Sequence, residues 1–139
     1  MSENVLDSIY IDMVVVAVNM GDRFWMHGKL EIFINSEKPH NEEDVIDVDL
    51  FLESLEKEGE YFIFSCCCGI PSCSGWEKGI EVKHQGDTIQ WTDLNTGRKW
   101  VVDRNKMISD MENVKQETLA FKKFFRDKNI DYVGLGYNW

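Results

Sequence analysis

The sequence predicts an α+β fold: a mainly antiparallel sheet with two amphipathic helices packed on it, in a single domain over residues 1–139. Three observations predict it. Several short stretches alternate apolar and polar residues at period two, and turn residues separate them. One long segment carries an apolar stripe at helical spacing. No repeat or low-complexity linker divides the chain, and its only two prolines are Pro39 and Pro71.

Ile9 to Val18 is β-branched and nearly continuous in apolar residues, which predicts a strand covered on both faces. Met20-Gly21-Asp22 is a turn. Leu30, Ile32 and Ile34 alternate with Glu31, Phe33 and Asn35, so a second strand follows. Asn35 to Asp44 is an acidic loop. Val48, Phe51, Leu52 and Leu55 then fall on one helical face, with Asp47 or Asp49 as the N-cap and Gly59 as the stop.

Tyr61 to Ser65 reads as a short strand. A meander follows over Gly79 to Lys83, Thr88 to Thr92 and Arg98 to Asp103, with turns at Gln85-Gly86-Asp87 and Asn95-Thr96-Gly97. Its alternation sends Ile80, Val82, Ile89, Trp91, Trp100 and Val102 to one buried face. Met107, Met111, Val114, Thr118, Phe121 and Phe125 step by four and three, a continuous helical stripe. Ser109 with Glu112 forms a capping-box pattern, and Asn105 offers an earlier start. Lys122, Lys123, Arg126 and Lys128 gather at the negative end of this helix, and Asn129 suits the left-handed closing residue. The segment Ile130 to Trp139 adds an edge strand.

Net charge is −10, which argues against direct nucleic-acid binding, because phosphate contacts need a basic surface. No apolar run reaches the roughly 18 residues of a membrane span. The acidic start lacks a basic signal-peptide region, so the expected location is cytoplasmic. Between Glu37 and Glu60, ten acids face only Lys38 and Lys57, so this segment holds most of the excess charge. Read blandly, it is a solvated face. Read functionally, Glu42, Glu43, Asp44, Asp47, Asp49, Glu53 and Glu56 form a docking surface for a basic protein partner.

All four cysteines, Cys66, Cys67, Cys68 and Cys73, lie within eight residues. Small thiols at the end of a buried strand pack well, and Gly69 and Pro71 turn the chain after them. The alternative is a zinc knuckle held by Cys66, Cys68, Cys73 and His84, although the two C-x2-C pairs of a strong zinc signal are absent. Redox work would want C-x-x-C before a helix, and a cysteine nucleophile would want a base that no spacing among His27, His40 and His84 singles out. The spaced aspartates lack the rest of a calcium loop, and no Walker loop, GxGxxG, G-x-S-x-G or HExxH occurs. The expectation is a non-enzymatic chain. Of the five tryptophans, Trp91 and Trp100 fall on the inner face, while Trp25, Trp76 and Trp139 fall in turns or at the terminus.

Two resemblances follow from these residues. The run Phe62 to Ser65, then Cys66-Cys67-Cys68-Gly69, Cys73, Gly75, the strand from Gly79 and Ile89-Gln90-Trp91 resembles a strand-turn stretch of small bacterial proteins. It covers about a fifth of the chain, and Ser74 between Cys73 and Gly75 departs from the pattern. In size, charge and architecture, the whole chain resembles the immunity proteins of bacterial polymorphic toxin and contact-dependent inhibition systems. That likeness implies a cytoplasmic inhibitor that binds and neutralises a basic toxin domain, such as a nuclease, through acidic residues.

Overall fold

The structure, a computed structural model, describes residues 6–66 and 70–139. Among the described residues, two α-helices and three small sheets form an α+β domain. Strands β1 (Ile9–Met20) and β2 (Arg23–Ile34) make a long hairpin, in register from Ile9 opposite Ile34 to Met20 opposite Arg23. Gly21 turns it at φ +70°, the left-handed region that glycine enters without strain. Ile9, Ile11 and Met13 face the core with Leu30, Ile32 and Ile34. The expected burial of β1 on both faces is not found: Tyr10, Val16 and Met20 are exposed. An antiparallel strand at a sheet edge needs cover on one face only, and β1 is such a strand.

After the acidic loop, β3 (Val45–Ile46) leads into α1 (Val48–Glu56). The Asp47 carboxylate accepts from Leu50 N at 3.1 Å and so caps the helix. Val48, Phe51, Ser54 and Leu55 are buried, whereas Leu52 of the expected inner face lies at the margin and is exposed. Gly59 does not close the helix; Lys57 is its C-cap and Gly59 opens the next strand. The single strand expected from Tyr61 to Ser65 divides into β4 (Gly59–Tyr61) and β5 (Phe64–Ser65). The chain changes sheets there, because Tyr61 pairs with Ile80 while Phe64 pairs with Ile46.

A 3-10 turn over Pro71–Ser74 precedes β6 (Ile80–Gln85), β7 (Thr88–Asp93) and β8 (Lys99–Asp103). These strands form the expected meander, with β4 on its outer side. Helix α2 (Arg104–Asp127) begins directly at the end of β8. Its cap is Asp103, which accepts from Asn105 N at 2.9 Å, so the Ser109 pattern lies inside the helix instead of at its start. Met107, Met111, Val114 and Thr118 are buried as their spacing predicts. Asn129 closes the helix at φ +59°.

The last strand, β9 (Tyr132–Leu135), pairs in parallel with β2, giving the order β1-β2-β9. The hydroxyls of Tyr132 and Tyr137 meet at 2.5 Å beside the Met13 sulfur. A Cβ at Gly28 would overlap the Tyr132 hydroxyl, so β2 needs glycine at this crossing. The core centres on aromatic rings. Phe51 and Phe64 each meet Trp91 edge-on at 6.1 Å, and Phe64 also packs on Trp76 and His40.

The cap assignment makes a direct prediction. Asp47→Ala should destabilise the chain by about 1 kcal/mol, and Asp49→Ala by less than about 0.5 kcal/mol. Urea unfolding of the two variants beside the parent chain measures both; equal losses would mean that Asp47 is not the cap.

Candidate protein-binding surface

Helix α1 is pulled inward by Phe51 and Leu55, which are nearly inaccessible. That orientation leaves Asp49, Glu53 and Glu56 outside, at spacings of four and three, which place them on one ridge. Among the described residues, neither Asp49 nor Glu53 has an ion pair. Glu56 meets Arg104 at 3.2 Å, and Arg104 Nε also donates to the Leu55 carbonyl. The ridge therefore carries net negative charge, with one cation at its end.

Beside the ridge, α1 and α2 leave an open groove of about 370 Å³. Leu52, Leu55, Ile108, Met111 and Trp139 line it, while Glu56, Glu112 and Lys115 ring it. Leu52 is 37% exposed, so apolar surface lies directly against the carboxylate ridge. An apolar floor with a charged rim is the arrangement of a protein-binding surface. Sequence reasoning missed this groove. Its walls come from three separated segments, and a tryptophan at position 139 carries no spacing signal.

The seven acids expected to contact a partner separate into different roles. Asp44 is corrected: its carboxylate is 1% exposed and points inside the fold. It accepts from Trp76 Nε1 at 2.8 Å and from Asn41 N at 2.9 Å, so it pins the loop before β3 to the segment after the cysteines. Its second oxygen, Oδ1, has no hydrogen-bond partner among the described residues. Asp47 is half-buried and occupied as the helix cap. Glu42 is exposed but bonded to Lys38, whose ammonium holds the Glu42 carboxyl below its usual range. The same lysine bonds Glu31 at 3.0 Å and is itself pushed up by that contact. Glu43 is exposed in the same loop.

Of the residues proposed to ligate zinc, Cys68 lies outside the described residues, as does Cys67. Cys66 follows β5 and is partly buried, and Cys73 is exposed in the 3-10 turn. The His84 ring bonds the Ser54 carbonyl through Nε2 at 2.7 Å, which ties β6 to α1. Among the described residues, no three His, Cys, Asp or Glu side chains converge on one point. A hollow of about 710 Å³ lies at the tip of the β1-β2 hairpin and is lined by Phe24, Trp25, Met20 and Val133 with three charged neighbours. Trp25 donates to His27 Nε2 at 2.6 Å, which makes that nitrogen the acceptor. Trp76, placed in a turn by the sequence, is buried. No helix among the described residues is long and apolar enough to cross a membrane.

Compared with family models, curated proteins and solved structures, the chain matches none.

His40 supplies a pH prediction. Its ring stacks on Phe64 at 4.8 Å, Nδ1 donates to the Asn41 carbonyl, and Nε2 accepts from Ile32 N. Burial lowers its pKa, against the opposing pull of the Asn41 carbonyl and of Asp44. A proton on Nε2 would face the Ile32 N–H, donor against donor. As pH falls below about 6.5, the unfolded chain binds this proton first, so stability is complete above that pH and declines below it. Urea unfolding at pH 7.5 and at pH 5.5 should show a loss that is smaller in His40→Phe. An identical pH dependence in both proteins would exclude His40 as the cause.

Proposed function

We propose that the chain is a non-enzymatic, immunity-type inhibitor. It binds a basic partner, a cationic toxin domain of the nuclease kind, in the cytoplasm and neutralises it. What supports this reading is the carboxylate ridge of α1 set against an apolar groove. Asp49 and Glu53 are charged, exposed and unpaired by any cation among the described residues. Such carboxylates attract a cationic surface at long range and accelerate encounter. The groove beside them takes an apolar side chain of the partner, which slows dissociation. Carboxylates set over a cationic active site exclude its anionic substrate.

The two contributions separate kinetically. The chain, immobilised, is exposed to cell extract at low and high salt, and the captured basic protein is purified and measured against variants. The Asp49→Lys/Glu53→Lys double variant should lower the association rate about tenfold or more at low salt, with the difference shrinking as salt screens it. Leu52→Ala should raise the dissociation rate and leave association nearly unchanged. Co-expression of the chain should relieve the toxicity of the captured domain, and the double variant should not. Capture with parent-like rates by both variants would reject the ridge and groove as the binding surface.

A further inference from the structure

We infer that β1 is a self-pairing edge: two copies of this chain join β1 to β1 about a two-fold axis at Ala17, forming one continuous six-stranded sheet.

β1 is the outer strand of the order β1-β2-β9. Its outward backbone groups belong to the odd-numbered residues. Ile11 N donates to Asp110 Oδ2 at 3.1 Å, and Met13 N donates to Asp12 Oδ1 at 2.9 Å. Just before the strand, Asp7 N donates to the Val101 carbonyl, and Val101 N donates back to the Asp7 carboxylate. The first half of the edge is thus closed by the chain's own groups. Antiparallel alternation sends the N–H and C=O of Val15, Ala17 and Asn19 to the same side. Among the described residues, nothing bonds those three outward N–H groups.

The open half has none of the devices that blunt an edge. From Met13 to Met20 the sequence is Met-Val-Val-Val-Ala-Val-Asn-Met, with no charge and no proline. Val16 is 49% exposed and Met20 66%. A two-fold at Ala17 sets Val15 opposite Asn19, Val16 opposite Val18, and Ala17 opposite itself. Every pair is uncharged, and the three outward residues of each copy exchange about six main-chain hydrogen bonds. Asp12 would meet Asp22 at the ends, a like-charge pair that stops the pairing there.

The match of the open stretch with itself about a two-fold selects a second copy as the occupant, and its lack of charge lets two acidic chains approach there. A chain of net −10 repels its like except through an uncharged flank. The acid ridge lies beyond the opposite edge of the sheet: the tail after β9 reaches α1, where Val48 N bonds the Gly136 carbonyl at 2.9 Å. Two copies meeting at β1 keep their ridges apart, whereas a basic partner is drawn to the ridges.

The test is sedimentation of the full chain alone across a wide concentration range. The expected species has twice the chain mass, and added salt tightens it by screening like charge. Ala17→Pro removes an outward N–H that the β1-β2 ladder does not use, and should give a folded monomer. Val16→Lys, a milder change on an exposed side chain, should also give a monomer. Amide hydrogen exchange of the parent chain should show concentration-dependent protection at Val15, Ala17 and Asn19. A parent chain that stays monomeric overturns the inference. So does a dimer that survives both variants, or one without protection at those three amides. The partner-binding reading is untouched by either result, because no partner enters the experiment.

Discussion

The contact on which the rest of the molecule depends is the ring cluster around Phe64 and Trp91. Trp91 comes from an inner strand of the meander and is fully buried. Phe51 reaches it from α1, and Phe64 reaches it from β5. On its other side, Phe64 packs against Trp76 at 5.2 Å and His40 at 4.8 Å. Five separate segments are thereby held by one cluster. Rings of this size contribute large buried area and prefer the edge-on geometry seen here. The cluster also sets the outer surface, because fixing Phe51 inward fixes Asp49 and Glu53 outward.

The acids of residues 42–60 show how one composition serves opposing ends. Asp44 is buried and accepts an indole hydrogen. Asp47 caps a helix, and Glu42 is neutralised by Lys38. Glu56, Glu58 and Glu60 also have partners within the fold, which leaves Glu43, Asp49 and Glu53 without a side-chain partner among the described residues. A count of charge along the chain treats all of these alike, and only their surroundings separate them. The separation extends to the two ends of the sheet, since the hairpin edge is uncharged while the helix beyond β9 is acidic. Salt would therefore act oppositely on the two proposed contacts, weakening association at the second and favouring it at the first.

Much of the fold was legible in local pattern. The meander, the hairpin and the α2 stripe each repeat with a period that only one secondary structure satisfies. Even Asn129 and the terminal strand followed from residue type. What escaped local reading depended on distant partners. Asp44 and Trp76 are 32 residues apart, and nothing near either announces the bond. The change of sheet between Tyr61 and Phe64 is decided by which strands each residue pairs with. The cap of α2 is Asp103, two residues before Asn105 and six before Ser109, because Asp103 ends a strand and caps a helix at once, leaving no loop to mark the boundary. For the proposed binding surface, the carboxylates of the ridge were visible in the sequence, but the groove beside them was not. It exists only where α1, α2 and Trp139 come together.

The order of the strands has a consequence for the growing chain. The β1-β2 hairpin is made well before α2 and β9, which cover it. Asp110 reaches Ile11 across 99 residues, and β9 follows after that. Ribosomes add roughly 5–20 residues per second, so a hairpin rich in isoleucine and valine waits on the order of 5–20 s for its helix. During that interval both its edges and its apolar face are open to other nascent chains, the condition under which strands pair wrongly. Speed of synthesis and the chaperones that meet the emerging hairpin therefore bear on the yield of folded protein.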